Sequence, residues 1–297
     1  MSDAQRLLFG TAGVADDFRP LGYRSTEGVP EYLAVHYGLD AFEYQCGRGV
    51  RLTAENGEKI RRRGEEYGIR FSLHAPYYIS MSSMDEEKRL GSIRYLLQSA
   101  AAVRALGGNR VIFHAGSCGK QSRQEALCKA KDTLQRARAA LDEAGFGDIL
   151  LCPETMGKVN QLGTLGEVLA LCQLDVRNVP CIDFGHLNAR TQGSLAAKAD
   201  FAAVLDELAD ALPDERARAF HVHFSKIEYT QGGEKRHLTF EDTTYGPDFE
   251  PFLELCCARA LAPVVICESA GTQAPDARTM KQYYQKLCQQ AGEKRGK

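Results

Sequence analysis

Eight short apolar runs alternate with longer amphipathic stretches along this chain, and that alternation restricts its fold more than any other feature. The runs cover residues 7–10, 41–44, 70–74, 110–114, 149–154, 179–183, 219–223 and 263–268. Each is long enough for a strand and each is followed by a helical pattern, at 29–37, 54–67, 85–106, 121–144, 165–171, 195–212, 248–259 and 277–291. Strands that alternate with helices pair in parallel, because the helix carries the chain back across the sheet. Eight such units within 297 residues, with no linker, repeat or low-complexity break, predict an α/β chain folded as one (β/α)8 TIM barrel over residues 1–297. The one long irregular insert, residues 225–247, falls between the seventh strand and its helix, where a long loop is expected to carry function.

Charge and cysteine usage remove several function classes. A net charge of -2 and a pI near 6.4 give no bulk attraction to nucleic acid or anionic membrane, so any phosphate-binding surface has to be local. No apolar run reaches membrane-span length and the first residues lack a signal-peptide core, which predicts a cytoplasmic protein. The ten cysteines include no CxxC pair and are expected to be reduced. Cys152, Cys181 and Cys267 lie inside apolar runs, as small core residues do.

The strand tips carry the chemistry. Residues 181–190, CIDFGHLNAR, run from an apolar strand into Asp183 and, past a turn glycine, His186. Other runs end in the same residue types: His74, His114, Glu154, His221 with His223, and Glu268, while His237 sits in the insert. Of seven histidines only His36 falls outside this set. A barrel gathers its strand C-termini at one mouth, so residues far apart in sequence are expected to converge there. Each one alone could cap a helix or satisfy a loop carbonyl. Together, several buried carboxylates without cations are too costly, and imidazoles beside carboxylates suit zinc or manganese better than magnesium. One zinc takes about four ligands, so this set is expected to hold two or three ions.

Six fragments in order, SLHAPYYIS, VIFHAGS, LLCPETMGK, CIDFGHLNAR, HVHFSK and VICES, resemble the endonuclease IV family of apurinic/apyrimidinic endonucleases, within the xylose isomerase-like barrel superfamily. That resemblance implies a monomeric hydrolase with three zinc ions that cuts DNA on the 5′ side of abasic sites in base excision repair. It implies that His74 and His114 hold one ion, bridged by Glu154 to a second ion held by Asp183, His221 and Glu268, while His186 and His237 hold a third. Glu154 and Glu268 are then the catalytic carboxylates. Tyr77, Arg48, Arg51 and Lys226 are the DNA-contact candidates.

The resemblance is incomplete in the insert. The family has an aspartate two residues before the last ligand histidine, where this chain has Lys235. Residues two apart on an extended strand share a face, so Lys235 is expected to aim its ammonium at the third site, with Glu234 or His223 as substitute ligands. Two alternatives stand beside the nuclease. One is a single-metal sugar isomerase or epimerase using Glu154, Asp183, His221 and Glu268, and the other is a non-enzymatic metal-bound DNA-binding protein.

Overall fold

In the computed structural model, residues 6–295 are described, with side chains through residue 291. Seven parallel strands come first: β1 (Leu8–Ala12), β2 (Ala41–Gln45), β3 (Arg70–His74), β4 (Arg110–Phe113), β5 (Leu150–Pro153), β6 (Cys181–Asp183) and β7 (His221–Phe224). An antiparallel hairpin of β8 (Ile227–Thr230) and β9 (Gly233–His237) follows, and β10 (Val264–Cys267) is the eighth barrel strand. The sheet runs β5-β4-β3-β2-β1-β10-β7-β6. Its two ends meet through parallel bridges at Leu151–Asn178 and Glu154–Cys181, which close the barrel.

The strands read as continuous apolar runs because both faces are covered, one by the barrel interior and one by helices. Leu73, Val111, Leu151, Ile182, Val222 and Val265 are all buried. The helix starts are fixed by caps. Thr53, Asp85, Ser122 and Thr164 each accept a bond from a backbone N–H in the first turn, and at Ser122 and Thr164 a glutamate three residues on returns the bond. These side chains place the helices Ala54–Tyr67, Glu86–Ala105, Arg123–Glu143 and Leu165–Cys172 within a few residues of the expected spans.

The helix expected after β1 is a single α-turn at Val29–Glu31 that widens into a π-helix over Tyr32–Tyr37. A short helix, Phe184–Arg190, follows β6 directly. Within the insert after β7, Ile227–His237 forms an ordered hairpin and residues 238–247 remain irregular. At the N-terminal end the Arg110 guanidinium crosses the barrel to the carbonyl oxygens of Ala219 at 2.7 Å and Phe220 at 3.0 Å. Among the described residues no helix is long and apolar enough to cross a membrane.

Candidate metal centre

Glu154 stands at the centre of the C-terminal mouth. It follows β5 directly and is almost fully buried, and its two oxygens face different imidazoles. Oε2 lies 3.1 Å from His74 Nε2 and 3.2 Å from His114 Nε2. Oε1 lies 3.2 Å from both His186 Nδ1 and His223 Nδ1. Burial pushes the Glu154 carboxyl up, but the imidazoles, His223 and His114 foremost, outweigh burial and hold it well below the usual range.

Asp183 shows why an acid belongs at the end of β6. Its Oδ1 accepts the His186 backbone N–H at 2.7 Å and so caps the helix Phe184–Arg190, which swings the His186 ring into the mouth. Its Oδ2 is buried without a hydrogen bond. The His186 Nδ1 atom lies 3.1 Å from that oxygen but bonds the Thr155 carbonyl at 3.0 Å. Burial alone would lower His186, and the carboxylates of Asp183, Glu154 and Glu234 overcome it, raising the ring to about 10. Glu268 is raised by its own burial, against the pull of His223 and His237.

Three groups of ligand atoms gather at the mouth, each group within 4.8 Å: His74, His114 and Glu154; Glu154, Asp183, His223 and Glu268; and His186, Glu234 and His237. Several of the imidazoles are oriented by a bond behind them. A carbonyl can only accept, so the Nδ1 protons of His74 and His186 go to the carbonyls of Ala75 at 2.9 Å and Thr155 at 3.0 Å. His237 Nδ1 is held by Ser225 Oγ at 2.8 Å. Such outer bonds leave a nitrogen lone pair on the other side of the ring. Imidazole nitrogens facing carboxylates, together with the orphaned Asp183 oxygen, are a donor set that fits divalent cations once those ions displace the ring protons.

The third group depends on a bulge. Tyr229 pairs with Glu234 and Glu228 with Arg236, which leaves Lys235 as the extra residue. A bulge inverts the alternation of faces beyond it, so Glu234 and His237 share a face although they are three apart. Lys235 therefore points away from the third group, and its ammonium pairs with Glu228 at 2.6 Å. This corrects the expectation drawn from two-residue spacing. The hairpin docks closely because of two glycines. A Cβ on Gly157 would sit 2.5 Å from Glu234 Cβ, and Gly233 has φ 92° with its Cα face against the Gly157 carbonyl.

Of these ligands, His74, His114, Glu154, His186, Glu234, His237 and Glu268 line a cavity of about 400 Å³ that also includes Gln45, Tyr77, Lys158 and Gln161, while Asp183 and His223 lie beneath it. Residues 32–287 of the chain match the profile of the xylose isomerase-like TIM barrel family. The chain belongs to this family. An uncharacterized protein of Methanocaldococcus jannaschii is 32% identical over 277 residues, covering 93% of this chain and 97% of the relative. A probable endonuclease 4 of Acholeplasma laidlawii is 30% identical over 150 residues, or 45% of this chain and 50% of that protein. Among solved structures, endonuclease IV from Thermus thermophilus superposes with a TM-score of 0.71 at 20% identity, covering 94% of this chain and 99% of that one. A D-tagatose 3-epimerase-like protein does so at 0.70 and 18%, covering 96% and 99%. At those identities the two structures speak to the fold alone.

Most of the expected ligands meet at the mouth of this xylose isomerase-like barrel, and one exchange of position stands out. His223, not His221, joins Glu154, Asp183 and Glu268. Both rings point inward, since they are two apart on β7, but a strand rises about 3.3 Å per residue, so His221 lies deeper by about 6.6 Å. There its Nε2 bonds Glu43 Oε2 at 2.9 Å, and burial holds the ring neutral, pushed down to about 4. Cys181 lies beside His221 and His223, and burial keeps its thiol protonated.

The DNA-contact candidates divide. Tyr77 lines the cavity, is 60% exposed, and lays its ring nearly parallel to His114 at 5.7 Å. Arg48 and Arg51 are exposed outside the cavity, and Arg51 lines a separate surface pocket with Tyr44 and Lys59. Lys226 is committed to the Asp242 carbonyl at 2.7 Å and the Asp248 carboxylate at 2.9 Å, so its ammonium is turned from the mouth. The cation at the mouth is Lys158, which follows β5 in the fragment LLCPETMGK. Glu43 has a single sequence signal, an acid inside the apolar run AFEY.

Proposed function

We propose that this barrel is a metal-dependent phosphodiesterase of the endonuclease IV type, acting on DNA 5′ to abasic sites with two or three zinc ions, or manganese in their place. The observation that carries this reading is Glu154, one carboxylate whose two oxygens serve two ligand groups. His74 and His114 would hold one ion, Asp183, His223 and Glu268 a second, and His186, Glu234 and His237 a third. Divalent ions so placed lower the pKa of water and neutralise charge that gathers on a phosphate during in-line displacement. The chain's own part is to bind and orient. Lys158, Gln45, Tyr77, Glu154 and Glu268 all line the cavity; Lys158 and Gln45 would contact phosphate and sugar, Tyr77 would offer a ring face to an unstacked nucleoside, and the two carboxylates would border the reacting phosphorus.

A second reading rests on Glu154, Asp183, His223 and Glu268 alone, which suffice for one ion, with Glu154 and Glu268 facing a cavity of about 400 Å³ that admits a monosaccharide. That would make the protein a sugar epimerase. It leaves His74 and His114 without a purpose, and so ranks second. Protein purified without chelator should carry at least two transition-metal ions per chain and nick a duplex bearing one abasic analogue on its 5′ side, leaving a panel of ketoses unchanged. Turnover of a sugar with the duplex intact at every metal concentration would reverse the ranking.

A further inference from the structure

The mouth imidazoles are not all held the same way round. His74, His186 and His237 are anchored through Nδ1, on the Ala75 carbonyl, the Thr155 carbonyl and the Ser225 hydroxyl, which leaves Nε2 for the mouth. His223 is reversed. Its Nδ1 faces Glu154 at 3.2 Å, and its Nε2 faces the Glu43 carboxylate, 3.1 Å from Oε1 and 3.2 Å from Oε2. Glu43 comes from β2, across the barrel from β7. It also accepts from Ser72 Oγ at 3.1 Å, Gln45 Nε2 at 3.0 Å and His221 Nε2 at 2.9 Å. A carboxylate fixed by that many donors does not rotate, and as a pure acceptor it draws a proton onto the nitrogen that faces it.

We propose that Glu43 is a positioning residue that holds the His223 proton on Nε2 and so presents the Nδ1 lone pair to the ion shared with Glu154, Asp183 and Glu268. The inference deepens the multi-metal reading and rests on it. Its role is exerted through His223, and Glu43 itself does not line the cavity. Sequence spacing gives no hint of the pairing, since the two residues are 180 positions apart and meet only through barrel closure.

The test has two arms. In the zinc-loaded wild-type protein, nitrogen NMR of the ring of His223, assigned against His223→Gln, should show a proton on Nε2 and none on Nδ1. In Glu43→Gln, competition titration with a chromophoric chelator should show one ion bound about 10- to 100-fold more weakly, the range typical when an outer-shell partner is lost, with the other ions unchanged. Glu43→Asp should recover part of that loss. A proton on Nδ1 of His223 overturns the proposal. So does wild-type affinity for every ion in folded Glu43→Gln, and a lowered unfolding temperature with unchanged affinity would reduce Glu43 to a structural residue. If Glu43→Gln does not fold, the wild-type spectrum decides. Fewer than two ions on the wild-type protein would instead sink the multi-metal reading itself.

Discussion

Two buried carboxylates stand on opposite sides of the same imidazole. Glu43, in the barrel floor, receives protons from Ser72, Gln45, His221 and His223, and each of its partners is there to donate. Glu154, at the mouth, is ringed by His74, His114, His186 and His223, yet His74 and His186 have already given their Nδ1 protons to carbonyl oxygens. The same pair of residue types thus makes a donor-rich hydrogen-bond cluster in one layer, with His221 Nδ1 left without a partner, and a cluster suited to cations in the next. The supply of donors, more than the count of histidines, separates a polar floor from a candidate metal centre.

The comparison is broken most directly at Glu154. Glu154→Gln should cut turnover by about a thousand-fold or more, because a neutral amide cannot serve two cations, while the metal-free fold stays intact by circular dichroism. Near-normal turnover by the folded variant would mean that mouth and floor do not differ in the way described. The hairpin offers a sharper test. Glu234→Ala should weaken one ion by about 100-fold, at least the loss expected for an outer-shell partner, whereas Lys235→Asp should leave affinity within about two-fold. Competition titration reads both, and an Asp at 235 that strengthens binding would put that residue, rather than Glu234, at the site.

For each unit changed, pH has a smaller effect than the loss of Glu234. His186 is pushed up to about 10, so between pH 6 and 9 it carries a proton that an incoming ion must displace. The sign is therefore tighter binding as pH rises, by roughly ten-fold per unit for each proton released. His221, pushed down to about 4, stays neutral over the same range, and the floor contributes nothing to the slope. Calorimetry in buffers of different ionisation enthalpy counts the protons, and a flat profile would contradict the assignment.

Much of this architecture could be read from the residues, and the failures have definite causes. The eight alternations were legible because each short apolar run is followed by an amphipathic stretch, and caps such as Ser122 and Thr164 fix where those helices start in the structure. The strand tips were legible because acids and imidazoles interrupt apolar runs. Depth was not: alternation says that His221 and His223 share a face, but only the observed strand, His221–Phe224, says which ring reaches the mouth. The third group was obscured by a bulge, since spacing rules assume an unbroken ladder and Lys235 is the residue that breaks it. Lys226 looked free because its partners, Asp242 and Asp248, lie 16 and 22 positions away.

The seam between Gly157 and Gly233 joins two loops that the barrel would otherwise leave independent. The Glu234 N–H donates to the Gly157 carbonyl at 3.2 Å, and the Val159 N–H to the Gly232 carbonyl at 3.1 Å. Lys158 lies between those two bonds, so the segment that would grip a ligand and the segment that would grip an ion share one backbone ladder. On the proposed function, an ion at the third group and an anionic ligand on Lys158 would be held through this one shared ladder, so each would change the affinity of the other by the same factor.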